Sequence, residues 1–201
     1  TFLFVFLPVV LAIYYAVPKG ARNYILLFFS LIFYAWGEPI YVLVMLGSTI
    51  VAYETGLFIK RAREKEKENQ AKGAIVFSVV VHIGVLLFFK YSDFFISNVN
   101  GLFHKDLKLL SIALPLGISF YTFQILSYTI DIYRKKIAVQ QNYFDLATYV
   151  CLFPQLIAGP IVRYETVEKE LLYREETVDV FAEGISRFIA GLGKKVLLAN
   201  T

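Results

Sequence analysis

The chain has 201 residues, of which 58% are hydrophobic and 17% aromatic, while Asp, Glu, Lys and Arg together make up only 18%. Soluble domains are about 45–50% apolar and about 25% charged, so the chain is too apolar for a water-soluble globule. Disorder would need high charge, a collagen periodic glycine and a disulfide scaffold many cysteines, whereas this chain has 12 Gly and one Cys and carries a net charge of +4 in short clusters between apolar runs. That pattern excludes a continuous nucleic-acid-binding face, so no nucleic-acid partner is expected and membrane lipids are the anionic neighbours.

An all-α, polytopic transmembrane protein remains. A bilayer core of about 30 Å asks for roughly 20 apolar residues per helix. Residues 1–17 and 23–37 carry no formal charge, residues 39–59 contain only Glu54, residues 74–89 contain only His82, and residues 109–130 carry none. The reading is therefore about five clear spans. The chain begins at Thr1 without an initiator Met and ends just after the apolar run 196–199, so it reads as part of a longer protein.

Cytoplasmic loops carry the excess of Lys and Arg. Lys19 with Arg22, the run 60–72 with six basic and three acidic residues, and Arg134, Lys135 and Lys136 follow the first, third and fifth spans. Loops 19–22, 60–72 and 134–136 are thus expected on the cytoplasmic side of a multi-pass plasma-membrane (inner-membrane) protein, with Thr1 outside. The run 60–72 reads as a solvated, charged helix extension held by residues four apart. No internal repeat is visible, which lowers a transporter reading.

Residues 109–130, LLSIALPLGISFYTFQILSYTI, are the most informative. On a helix, Gly117, Tyr121, Gln124, Tyr128 and Asp131 recur three and four apart and share one face. Polar side chains in lipid are costly unless they meet protein or water, so this stripe is expected to face the bundle interior or a hydrated tunnel. Its plainer alternative is a set of interhelical hydrogen bonds.

Residues 142–176 are expected to form a broken or re-entrant and then interfacial cytoplasmic segment. Asn142 is placed to cap a helix, Pro154 cannot donate to a continuing helix, and the Ala158-Gly159-Pro160 bend frees backbone groups that hydrocarbon cannot satisfy. Residues 164–176 follow as a short amphipathic helix. Residues 178–199 mix apolar residues with Gly and Lys and read as irregular or re-entrant; Ala182, Ser186 and Ala190 form a small-residue strip, with Lys194 beyond it.

Several motifs fail. Gly117-Ile118-Ser119-Phe120-Tyr121 lacks the second glycine of a nucleophile elbow, and Gly191-Leu192-Gly193-Lys194-Lys195 lacks the hydroxyl residue of a phosphate loop. No cluster has metal-ligand spacing, so no metal is expected. Cys151 reads as core filling, His82 as a hydrogen-bonded core residue and His104 as solvated.

LPLGISFYTFQILSYTIDIYR at 114–134, FPQLIAGPIVRY at 153–164 and GLGKKVLLAN at 191–200 closely resemble the membrane-bound O-acyltransferase (MBOAT) family, in the branch containing the alginate O-acetylation membrane protein. The resemblance implies that residues 1–201 are the N-terminal portion of a single MBOAT-like domain: a helical funnel with acyl transfer across a thin partition. The cosubstrate would be acetyl-CoA or another cytosolic acyl donor, with no bound cofactor. The acceptor would be hydroxyls of an exported, alginate-type polysaccharide, reached directly or through an acyl-relay protein. It also implies a catalytic histidine beyond Thr201, and therefore no catalytic residue within this chain. On this reading Tyr121, Gln124, Tyr128 and Asp131 line or brace the tunnel, while Pro154, Gly159, Pro160 and Arg163 shape the donor entrance, Arg163 attracting donor phosphates. The competing readings are a polymer or lipid transporter and a noncatalytic membrane scaffold for cell-envelope modification.

Overall fold

Long apolar runs satisfy their backbone groups internally by winding into helices, and the computed structural model, which describes residues 2–156, 162–174 and 176–199, is predominantly helical with no strand among the described residues. A π-helical turn, Phe2–Phe6, leads into α1, Leu7–Ala16, where Pro8 sits in the first turn. Helix α2 is Arg22–Gly37, α3 is Tyr41–Glu64 and α4 is Glu68–Phe103. Helix α5, Ile118–Tyr133, is followed by α6, Tyr143–Cys151, the short α7, Phe153–Leu156, then α8, Tyr164–Leu172, and α9, Val178–Lys194, which widens into a π-helical stretch at Lys195–Ala199. Two of these, α3 and α4, are long and apolar enough to cross a membrane.

The chain divides into two units, Thr1–Val167 and Glu168–Thr201. In the first, α5 is the central element: ten of its sixteen residues are buried, from Ile118 to Ile132, so it is covered nearly all round. Helix α4 buries only Ala71, Ile75, Ser78, His82 and Leu86, one stripe at helical spacing, and exposes Phe77, Val80 and Phe88 on its other faces. Exposed aromatic and branched residues on that scale fit a lipid-facing surface. Gly56 lets α3 and α5 approach closely, since a Cβ there would lie 3.1 Å from Ile132 Cδ1 and 3.3 Å from Val139 Cγ1. In the second unit, the Thr177 hydroxyl caps α9 by accepting from the Val180 N–H at 3.2 Å.

Three expectations need correction. Residues 109–130 are not one span: the helix begins at Ile118, and residues 105–115 are non-helical. Pro115 disfavours helix at the residue before it, and the Asp93 carboxylate of α4 accepts from the N–H groups of Leu110 at 2.8 Å and Ser111 at 3.0 Å, tying this stretch to α4. Gly117, expected on the stripe, is instead the N-cap, with φ 74°.

The run 60–72 is not a continuous helix extension. It turns at 65–67, with Glu66 at φ 56°, and brings Arg63 to Glu68 at 3.2 Å. Finally, 178–194 is not irregular: α9 runs unbroken through Gly184, Gly191 and Gly193, and the departure from α-helical geometry is confined to 195–199.

Candidate functional site

The polar residues of α5 look into protein. Tyr121 and Tyr128 are wholly buried, and Gln124 and Asp131 nearly so. Spacings of three and four put them on one helix face, and that face lies against α6 and the segment after it.

Each then meets a different fate. Gln124 Nε2 donates to the Tyr149 carbonyl at 2.9 Å, which ties α5 to α6. Tyr128 Oη accepts from the Gln140 N–H at 3.1 Å, and its ring meets that of Tyr164 edge-on at 5.1 Å. Tyr164 in turn packs edge-on against Tyr149 at 5.1 Å, and the Tyr149 hydroxyl donates to the Val162 carbonyl at 2.8 Å. Edge-to-face rings contribute about 0.5–1.5 kcal/mol per pair beyond their buried area.

Gln140 knots this cluster: its Nε2 donates to Tyr164 Oη at 2.9 Å and its Oε1 accepts from the Asn142 N–H at 2.9 Å. Gln140, Tyr149 and Tyr164 lie outside the α5 periodicity and meet only in three dimensions, so no spacing in the sequence points to them.

Two stripe residues are less settled. The Tyr121 hydroxyl is buried and has no hydrogen-bond partner among the described residues. A buried, unsatisfied polar group costs about 1–3 kcal/mol. The Asp131 carboxylate, on a residue only 5% exposed, receives none of the hydrogen bonds among the described residues.

The broken segment is anchored at its first helix. Asn142 caps α6 by accepting from the Phe144 N–H at 3.0 Å, as expected from its position. Asp145, in the first turn of α6, accepts from Asn23 Nδ2 at 2.7 Å and fastens α6 to α2. The break falls at Leu152, two residues before Pro154, which then occupies the first turn of α7. Pro154 and Arg163 are exposed, while Gly159 and Pro160 lie outside the described residues. Neither of two grooves on the described residues, one between α3 and α4 and one at the ends of α3 and α5, is lined by the stripe.

His82 serves structure: its ring nitrogens lie 2.7 Å from the Ser78 carbonyl and 3.0 Å from that of Ser48, linking α4 to α3. Cys151 is buried and free. No group of three or more His, Cys, Asp or Glu that could hold a metal occurs among the described residues.

Over its whole length the chain is 41% identical to a Pseudomonas aeruginosa protein and 38% identical to an Azotobacter vinelandii protein, each named probable alginate O-acetylase AlgI. Over 99% of its length it is 29% identical to a Helicobacter pylori peptidoglycan O-acetyltransferase. It spans 39%, 40% and 43% of those three relatives, respectively. No protein-family model and no solved structure matches.

Proposed function

We propose that the chain is part of a membrane O-acetyltransferase of the membrane-bound O-acyltransferase family acting on an exported polysaccharide, because its whole length matches proteins named probable alginate O-acetylase. The observation that carries this is 41% identity over the whole of this chain, and 39% of the relative, to a protein named probable alginate O-acetylase. In the reaction, an acceptor hydroxyl oxygen forms an ester bond to the acetyl carbon, the bond from that carbon to the donor breaks, and the hydroxyl proton leaves with the donor's leaving group. Acetyl-CoA, with a thiolate leaving group, is the proposed donor, and an alginate-type polymer is the proposed acceptor.

Within this chain, Tyr121, Gln124, Tyr128 and Asp131 line or brace the path of transfer. The unpartnered Tyr121 hydroxyl supports this, because it is a buried donor held ready for a ligand or water. Gln124 and Tyr128 brace that wall through Tyr149 and Gln140. Pro154, Gly159, Pro160 and Arg163 shape the donor entrance, where exposed Arg163 offers donor phosphates a bidentate guanidinium. The catalytic histidine that the family resemblance implies would lie beyond Thr201.

In the proposed topology the protein is multi-pass in the plasma membrane with about five spans in this part, and loops 19–22, 60–72 and 134–136 face the cytoplasm. The clustering of basic residues supports it.

The test is incubation of the intact protein in membranes with acetyl-labelled donor and candidate polymers. Alkali-labile label is expected on a uronic-acid polymer. Label on no polymer, with the donor intact, would overturn the reading.

A further inference from the structure

At one end of α3 and α5 lies an open groove of about 500 Å³, walled by Ile137 and Val139 and rimmed by Lys60, Arg63, Glu64 and Lys135. Arg63 is already committed. Its Nη1 donates to the Ile132 carbonyl at 3.0 Å and its Nη2 to the Tyr133 carbonyl, so it caps the last turn of α5. It also stacks over the Tyr133 ring at 5.2 Å and pairs with Glu68, whose carboxyl its hydrogen bond holds below the usual glutamate range. Lys60 and Lys135 form no ion pair among the described residues, although the Lys135 charge adds to Arg63 in lowering the Glu68 carboxyl.

Lys135 stands in an unusual conformation. After α5 the chain makes a Schellman turn: the Lys135 N–H donates to the Ile132 carbonyl at 3.0 Å and the Lys136 N–H to the Asp131 carbonyl at 2.9 Å. The residue at its left-handed position is Lys135, at φ 60°, where glycine would sit without steric cost. The turn sets Lys135 on the rim that it shares with Lys60.

We propose that this groove binds one anionic phospholipid, its phosphate between Lys60 and Lys135, a headgroup hydroxyl donating to Glu64, and a lipid chain along Ile137 and Val139. Phosphate is the shared chemistry of a lipid headgroup and a soluble phosphorylated compound. The apolar wall beside the lysines favours the lipid. The proposal rests on α3 and α4 lying in a bilayer and is independent of acyl transfer, so acetylation can fail while lipid binding stands, and the reverse.

The experiment uses the intact protein in phosphatidylcholine nanodiscs containing a minor fraction of phosphatidylglycerol, with retained lipid measured by mass spectrometry. Lys60→Gln/Lys135→Gln is expected to lower phosphatidylglycerol retention about tenfold or more and to leave phosphatidylcholine unchanged. Lys135→Gly separates fold from charge: the melting temperature rises because the strain is relieved, yet phosphatidylglycerol retention falls about fivefold. Unchanged retention in either variant overturns the proposal. So does inorganic phosphate binding to the lipid-free protein through the same lysines with no preference for phosphatidylglycerol, which would make the ligand a soluble phosphate.

Discussion

Gly117 and the carbonyl oxygen of Leu156 are so close that a Cβ on Gly117 would lie 2.6 Å from that oxygen. The start of α5 is thus wedged against the end of α7, while the Tyr34 hydroxyl of α2 donates to the adjacent Leu116 carbonyl at 2.9 Å. Backbone atoms, not adjustable side chains, make the first contact, so the two segments have little freedom to move closer together.

Gly117→Ala is therefore expected to destabilise the intact protein by about 2–4 kcal/mol, combining the left-handed φ with the clash. Thermal unfolding in detergent measures it. A melting temperature equal to wild type would mean that Gly117 and Leu156 are not in contact.

Gln124→Leu removes one of two donors to the Tyr149 carbonyl, the other being Gln155 Nε2, at a cost of about 0.5–1.5 kcal/mol in stability. Acetyl transfer is expected to fall at least about tenfold even at temperatures where the variant is fully folded. Full turnover in the folded variant would leave Gln124 with a packing role alone.

Arg163→Ala is expected to raise the KM for the acetyl donor about tenfold with kcat little changed, because an exposed guanidinium that only attracts the donor acts before chemistry. Steady-state kinetics across donor concentrations decide this. A fall in kcat at constant KM would remove Arg163 from the entrance.

Gly56→Leu is expected to separate α3 from α5 and cost about 1–3 kcal/mol, whereas Gly56→Ala should be much milder, since its Cβ would meet side-chain ends alone, Ile132 Cδ1, Val139 Cγ1 and, at ordinary contact distance, Tyr128 Oη. Denaturation midpoints of the two variants, ranked against wild type, check the order.

Lys65→Cys and Lys105→Cys, each in a Cys151→Ala background, test the topology. They lie in the connections at opposite ends of α4. An impermeant maleimide should label Lys105→Cys in intact cells and Lys65→Cys only after permeabilisation. The opposite pattern would invert the orientation.

Composition and local spacing determined that this chain is helical and apolar, that Tyr121, Gln124, Tyr128 and Asp131 share one protected face, and that Asn142 caps a helix. These features depend on a repeat of about 3.6 residues or on a side chain reaching two residues along, and both are written in neighbouring positions. Only the tertiary structure decided that α5 starts at Ile118, where Asp93 of α4 holds the preceding stretch, and that Gln140, Tyr149 and Tyr164 close around Tyr128. Likewise it set Lys135 into a left-handed turn beside Lys60. Hydrogen bonds and ring contacts between residues far apart in the chain depend on how helices pack, and packing leaves no period in the sequence that would announce them.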